Sequence, residues 1–478
     1  MTERMLRFVT LETEPPEKRE AGARTGDFQE VYAGYAAAKA AEQAARCSQC
    51  GVPFCQVHCP LQNNIPDWLK LTAEGRIEEA YELSQSTNNM PEICGRICPQ
   101  DRLCEGNCVI ETSGHGTVTI GAIEKHLTET AWANGWVKPL KPRRLLNASV
   151  GIIGAGPAGL AAAEELRRAG YRIAIYDRHD RAGGLLIYGI PNFKLEKEIV
   201  QRRIKRLEDG GIVFKLGVEI GRDMSFADLR SSHDAVFVAA GAYRAKAMEA
   251  PGVGLKRIVA ALDYLIASNR KGLGDDVPAF ESGALDAKGK HVAVIGGGDT
   301  AMDCVRTAMR QGAKSVSCVY RRDRDNMPGS LREVANAEEE GIVFEWLTLP
   351  KAFLGKKNVE GVRLTRSRLG LPDASGRKAP EEVKGSEFNL HADLVIQALG
   401  FDVEDLPAKF DAPGLGVTRW GTLAADNSQT TMEGVFAGGD VTRGASLVVW
   451  AIKDGRDAAA AIHKYLAAKT AMTREAAE

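Results

Sequence analysis

Eight of the ten cysteines in this 478-residue chain fall between Cys47 and Cys108, in two short runs. The first run is Cys47-x2-Cys50-x4-Cys55-x3-Cys59-Pro60, and the second is Cys94-x3-Cys98-Pro99-x4-Cys104-x3-Cys108. Both are rich in proline, glycine and asparagine and lack the apolar period of a helix or strand, so side-chain burial cannot organise them. Short spacings let several thiolates of one loop converge on a small metal centre. The other two cysteines, Cys304 in a predicted helix and Cys318 in a predicted strand, read as buried small apolar residues.

Eight sulfurs nominally supply two [4Fe–4S] clusters, and a proline directly after Cys59 and Cys98 resembles the ferredoxin pattern of cluster ligation. Three other readings compete. Disulfides would use eight cysteines, but the opening MTERMLRFVT lacks the layout of a signal peptide, which points to a reducing, cytoplasmic setting. Structural zinc favours paired C-x2-C units, and only Cys47–Cys50 fits. A redox disulfide needs one such pair and leaves six cysteines idle. Iron–sulfur ligation accounts for more of the pattern than any of these. Glu124 shares an apolar helical stripe with Ile120, Leu127 and Ala131. It is either a carboxylate snorkelling from the edge of that stripe or one facing a metal.

Residues 1–145 are expected to be helical around the cysteine loops. Asp27 and Glu30 resemble a capping box opening FQEVYAGYAAAKAAEQAAR, and Pro66 suits the first turn of DWLKLTAEGRIEEAYELS. A third helix runs through TVTIGAIEKHLTETAWA, and KPLKPRR (Lys138 to Arg144) reads as an extended linker. Beyond it, short β-branched runs alternate with Ala-rich helices, the pattern of a parallel α/β sheet. Val150–Arg178 and Val292–Arg322 share one layout of strand, glycine turn, helix and second strand. The expected fold class is therefore α/β, with two Rossmann-like dinucleotide-binding domains behind an α-helical iron–sulfur domain. The boundaries are 1–145 for the cysteine domain, 146–245 and 401–478 for the two parts of one dinucleotide domain, and 246–400 for the other.

In the first unit Gly154-x-Gly156-x-x-Gly159 permits a tight turn and close approach of a pyrophosphate. Pro157 and Ala158 open the helix whose free N–H groups face the phosphates. Asp177 stands 23 residues after Gly154 at the end of the second strand, where an acid can bind ribose hydroxyls. The second unit has Gly296-x-Gly298-x-x-Ala301, with Asp299 and Thr300 at its helix start. Its second strand ends in Tyr320-Arg321-Arg322, and arginines there pair with a 2′-phosphate that an acid would repel, so NADPH is expected over NADH.

These pieces resemble the flavoproteins with two dinucleotide-binding domains. The order matches: a first fingerprint for FAD, AAG (Ala239 to Gly241), a second fingerprint for NADPH, then ALG (Ala398 to Gly400). By that resemblance Gly183, Gly184 and Leu185 lie against FAD, and Gly439 and Asp440 close its site at the ribityl chain. With the cysteine runs attached, nearly the whole chain resembles the small (β) subunits of NADPH-dependent glutamate synthases. RCSQCGVPFCQVHCP, NNIPDWLKL, PEICGRICPQDRLCEGNC and YRRDRDNMPGS carry that likeness. The N-terminal half of dihydropyrimidine dehydrogenase is a more distant relative. It implies Cys47, Cys50, Cys55 and Cys108 on one cluster and Cys59, Cys98 and Cys104 on the other. The fourth ligand of the second cluster is then Glu124 or Cys94.

The resemblance implies an electron-input subunit that oxidises NADPH at FAD. Electrons would pass singly through the clusters to a large (α) subunit carrying FMN and an iron–sulfur centre, where glutamine and 2-oxoglutarate become glutamate. Hydride transfer between stacked cofactors needs no side-chain acid or nucleophile, so no catalytic residue is assigned. A related NADPH:ferredoxin-type or sulfide-dehydrogenase-like subunit shares every motif, and a non-catalytic redox sensor is the alternative of another class. The net charge of −1 argues against general affinity for nucleic acid, and no apolar run is long enough to span a membrane.

Overall fold

Both glycine turns sit at the C-terminal edge of a parallel sheet in the computed structural model, which describes residues 4–373 and 378–475. The first sheet has seven strands. In spatial order they are Ala425–Asp426, Gln429–Thr430, Val435–Ala437, Ala235–Val238, Ser149–Ile153, Arg172–Asp177 and Val213–Leu216. The second has five parallel strands, Ile258–Ala260, Leu394–Gln397, His291–Ile295, Ser315–Val319 and Val343–Glu345. Central strands buried on both faces explain runs such as VGII and VAVI, which do not alternate. An antiparallel sheet from Thr348–Gly355 to Phe388–His391 is inserted before the last strand of the second sheet. Arg244–Ala245 pairs antiparallel with Phe401–Asp402, so the two chain crossings between the parallel sheets are stitched side by side.

The Ala-rich helix Pro157–Ala169 packs between its sheet and the closing helix Val448–Glu475. Gly455 makes that crossing possible, because a β-carbon there would lie 2.2 Å from the Ala158 carbonyl oxygen. Cys304 and Cys318 are fully buried in the core of the second sheet.

In the cysteine region, four helices (Ile65–Ala73, Ile77–Thr87, Pro91–Ile97 and Ile120–Ala133) surround the loops. Three local expectations change. The helix expected after Asp27 begins only at Ala37 and runs to Ala44. The Asp27 carboxylate is instead taken by Arg19 at 2.5 Å and by the backbone N–H of Gln29 at 2.9 Å, so it cannot cap. The stretch from Trp68 to Ser84 is two helices, because Gly75 adopts φ +76° between them. The segment 138–144 is docked: Leu140 is buried, and Arg206 on the helix Lys197–Asp209 donates to the Lys138 carbonyl at 2.9 Å.

A buried ionic cluster ties the N-terminal segment to the second sheet. Glu340 accepts from Arg24 at 2.8 Å, Arg306 at 2.7 Å and Arg310 at 2.6 Å, while Arg310 lies 3.9 Å over the Phe193 ring. Burial would raise the Glu340 carboxyl, but Arg310 and Arg306 hold it down to about 2. Removing one partner of such a cluster would leave a buried charge uncompensated. No helix among the described residues is long and apolar enough to cross a membrane.

Candidate functional site

The two glycine turns have the same construction, down to their partners. Gly154 (φ +108°) and Gly296 (φ +146°) are each required by the chain itself: a β-carbon would lie 2.2 Å from the carbonyl oxygen of Ala239 in one case and of Ala398 in the other. Those alanines open AAG and ALG, so each turn packs on its own copy of the same motif. Gly159 is similarly fixed, its β-carbon position lying 2.0 Å from the Gly154 carbonyl oxygen; in the second turn Ala301 takes that place and is fully buried. Gly156 and Gly298 differ from these. A β-carbon at either would meet nothing within 4 Å, and neither has positive φ. Nothing in the chain demands glycine there, whereas a phosphate resting on the helix N-terminus does.

Gly183 and Gly184 fold back onto the first turn. Gly183 donates its N–H to the Ala155 carbonyl at 2.8 Å, and a β-carbon on Gly184 would lie 2.9 Å from the Gly156 Cα. Leu185 begins the short helix that follows. Asp177 ends the second strand as expected, and its carboxylate accepts from the backbone N–H of Ala155 at 2.7 Å and of His179 at 2.8 Å. Gly439 caps the short helix Asp440–Arg443. Burial lifts the Asp440 carboxyl to about 7, aided by Asp454 and opposed by the Ser446 backbone and Arg443.

In the second turn Asp299 accepts the Ser330 N–H at 2.9 Å, and Thr300 follows it on the helix Asp299–Arg310. Arg321 is exposed and makes no ion pair among the described residues. Arg322 Nε is buried without a hydrogen-bond partner, as an arginine awaiting an anion would be.

One cavity of ≈ 450 Å³ connects these parts. Its wall includes Gly154, Gly156, Asp177, Gly184, Leu185 and Asp440 from the first dinucleotide site, and Asp299 and Thr300 from the second. The far wall is Cys98, Pro99, Gln100 and Asp101, from the second cysteine run. Two features of this space carry no sequence motif. Arg178, His179 and Tyr243 form an aromatic and cationic corner, with Arg178 4.6 Å over the Tyr243 ring. Lys194 is half-buried and pairs with Asp303 at 2.9 Å. Tyr243 follows AAG at two residues, and only that adjacency could have flagged it.

The cysteines separate into two neighbourhoods. Burial pushes the Cys47 thiol to about 11 and Cys55 to about 12, and Cys108 and Cys50 raise both further by charge. Cys59, Cys94, Cys98 and Cys104 are likewise raised by burial, and each feels the charge of Glu124. Thiols so displaced ionise only when a metal takes the sulfur. Eight free thiols with no disulfide between them are the donor set that an iron–sulfur centre takes. Glu124 is buried, which lifts its carboxyl to about 8. Its Oε1 accepts from Asn63 and Asn88 at 3.2 Å and Ser84 at 3.4 Å, leaving Oε2 without a hydrogen bond among the described residues.

Residues 24–136 match the family described as dihydropyrimidine dehydrogenase domain II, 4Fe-4S cluster, and residues 148–455 match the pyridine nucleotide-disulphide oxidoreductases. The glutamate synthase [NADPH] small chain of Azospirillum brasilense is 64% identical over 469 residues, covering 98% of this chain and 97% of that one. The chain belongs to the glutamate synthase small-chain family. A second relative, the putative oxidoreductase AegA of Escherichia coli K12, is 46% identical over 464 residues, covering 95% of this chain and 70% of that one. Among solved structures, FprA of Mycobacterium tuberculosis in complex with NADPH superposes with a TM-score of 0.58 at 23% identity, over 70% of this chain and 86% of that one. That likeness concerns the fold alone. The family members share an iron–sulfur region followed by paired dinucleotide-binding domains, and the chain is an oxidoreductase of that build.

Proposed function

We propose that the chain is the electron-input subunit of an NADPH-dependent glutamate synthase, taking reducing equivalents from NADPH and delivering them singly to a large subunit. The observation that carries this reading is the shared cavity. Its walls come from the first glycine turn, the N-terminus of the second turn's helix, and the Cys98–Asp101 segment. On that arrangement input, relay and outlet would share one space.

In this reading residues 146–245 and 401–478 hold FAD, residues 246–400 hold NADPH, and residues 1–145 hold two [4Fe–4S] clusters. Gly154, Gly156, Pro157, Ala158 and Gly159 seat the FAD pyrophosphate. Asp177 addresses its ribose, Gly183, Gly184 and Leu185 back the isoalloxazine side, and Gly439 and Asp440 close the site. Gly296, Gly298, Asp299, Thr300 and Ala301 seat NADPH, with Arg321 and Arg322 on its 2′-phosphate. Bound flavin supplies the conversion of a two-electron input into one-electron outputs. The chain's own residues position the cofactors and exclude water, and no side chain has to carry a proton for hydride transfer. Cys47, Cys50, Cys55 and Cys108 would bind one cluster. Cys59, Cys98, Cys104 and the free Oε2 of Glu124 would bind the other, leaving Cys94 packed with Met90 and Ile93 in an apolar core. A cytoplasmic setting follows from clusters and thiols that need reducing conditions.

The test is reconstitution with a purified large subunit, glutamine and 2-oxoglutarate under anaerobic conditions. NADPH-dependent glutamate, absent when either subunit is omitted, is the expected result; none with a competent large subunit sinks the proposal. AegA, longer than this chain and named only as a putative oxidoreductase, supports a second reading in which the acceptor differs. Rapid NADPH-dependent reduction of an artificial acceptor without glutamate formation would favour that reading. Cofactor binding without any turnover would favour a redox sensor.

A further inference from the structure

A cluster of ligand-type side chains lies at the end of the second sheet opposite its glycine turn. His291 begins the strand His291–Ile295, Asp393 immediately precedes the neighbouring strand Leu394–Gln397, and His391 ends the last strand of the antiparallel sheet. One ligand atom from each of the three falls within 4.8 Å of the others. The imidazoles meet edge to face with ring centroids 4.8 Å apart.

The surrounding hydrogen bonds settle which atoms are open. His391 Nδ1 lies 2.9 Å from the Glu360 carbonyl oxygen, which can only accept, so Nδ1 carries a proton and Nε2 is the ring nitrogen left to bind an ion. His291 Nδ1 is engaged with the Ser315 hydroxyl at 2.8 Å, leaving Nε2 as its open nitrogen. Asp393 Oδ2 accepts the His291 backbone N–H at 2.9 Å, which orients the carboxylate and presents Oδ1 to His391 Nε2 at 3.7 Å. Nε2 and Oδ1 thus face each other at a separation too long for a hydrogen bond. Ligand atoms on one tetrahedral ion, bonded at about 2.0–2.1 Å, sit about 3.4 Å apart. The nearby Lys290 ammonium does not fill the gap, being held by the carbonyls of Gly283 at 2.9 Å and Asp286.

We propose that His291, His391 and Asp393 form a surface site for a divalent cation of the zinc class, completed by water. Two imidazoles and one carboxylate suit such borderline ions, and the hydrogen bonds to Glu360 and Ser315 hold the rings in orientation from behind. The cation would pin the end of the antiparallel sheet to the starting edge of the parallel one. It lies away from the cofactor cavity, and its loss leaves the hydride path intact.

The test is titration of the cofactor-loaded full chain with Zn²⁺ against a chromophoric chelator, comparing wild type with His391→Ala and Asp393→Asn. His391 is exposed, so its truncation spares the core, and unchanged NADPH oxidation verifies both folds. Wild type is expected to take up one more Zn²⁺ per chain than either variant, with affinity at least about 10-fold higher at that equivalent. Zn²⁺ should raise the melting temperature of the wild type alone. Binding that is equal in all three proteins, or no saturable binding, overturns the proposal; the first result would place the metal at the cysteines, and the second would leave a proton between His391 and Asp393.

Discussion

The cysteine region and the glycine-turn region specify their shapes in opposite ways. At Gly154 and Gly296 the chain's own carbonyls forbid any other residue, so the turn exists whether or not a nucleotide is present. Around Cys47 to Cys108 the chain offers free thiols, several of which burial would keep protonated, gathered into two neighbourhoods with no covalent link between them. One region is built by packing and then binds; the other is completed by what it binds. Gly156 and Gly298 are the exceptions within the packed region, glycines explained only by something outside the chain.

The largest effect that could break this contrast is at the second cysteine neighbourhood. Cys94 and Glu124 are both buried and both near Cys59 and Cys98, but only Glu124 has an oriented carboxylate with an unused oxygen. Glu124→Ala is expected to remove or convert one of the two cluster EPR signals and to slow electron delivery to the acceptor by 100-fold or more, on the order of the loss for a displaced metal ligand. Cys94→Ala should leave both signals intact, its cost being only a methyl-sized cavity of roughly 1 kcal/mol. The reverse outcome would make Cys94 the ligand and Glu124 a packed acid.

Much of the packed region was legible because its rules are local. A strand, a glycine turn, a helix and a polar strand end occupy about 30 residues, and the second copy at Val292–Arg322 repeats them with Ala301 in the third glycine's place. What was not legible depends on partners far along the chain. Asp27 reads as a helix cap until Arg19 takes its carboxylate. Glu340 belongs to no motif, yet Arg24, Arg306 and Arg310 converge on it just past the helix Leu331–Glu339, Arg24 from 316 residues away. The wall that Cys98–Asp101 contributes to the cofactor cavity has the same cause. Spacing can say that those cysteines bind something, but not which domain they face.

A smaller effect sharpens the comparison between the two turns themselves. They share their first two glycines, with Ala301 standing where the first turn has Gly159, and differ most where the second strand ends, in Asp177 for one and Arg321-Arg322 for the other. Asp177 is already tied to the Ala155 and His179 amides, whereas Arg322 Nε has no partner. Replacing both arginines with alanine should lower kcat/KM for NADPH by about 10- to 100-fold, equivalent to one or two charge-assisted hydrogen bonds. NADH turnover should change little. Unaltered selectivity in steady-state assays would remove the arginines from the 2′-phosphate.

The smallest effect concerns Asp440, a residue of the packed region whose carboxyl the fold leaves raised. Its carboxyl is raised to about 7, chiefly by burial, whereas in the unfolded chain it ionises at about 3.9. The fold therefore prefers the neutral acid. Its contribution to stability is intact below about pH 4, declines as pH rises toward 7, and is lost above that. In flavin-free protein, Asp440→Asn should melt on the order of 2–4 °C above wild type at pH 8, and level with it near pH 4. With FAD bound the order should reverse, because the amide cannot accept hydrogen bonds as a carboxylate does and FAD should dissociate more readily from the variant. If thermal melts at pH 8 showed no gain in the flavin-free variant, the carboxyl would be ionised and solvated there. Asp440 would then belong with Asp177, among the groups the chain has already satisfied.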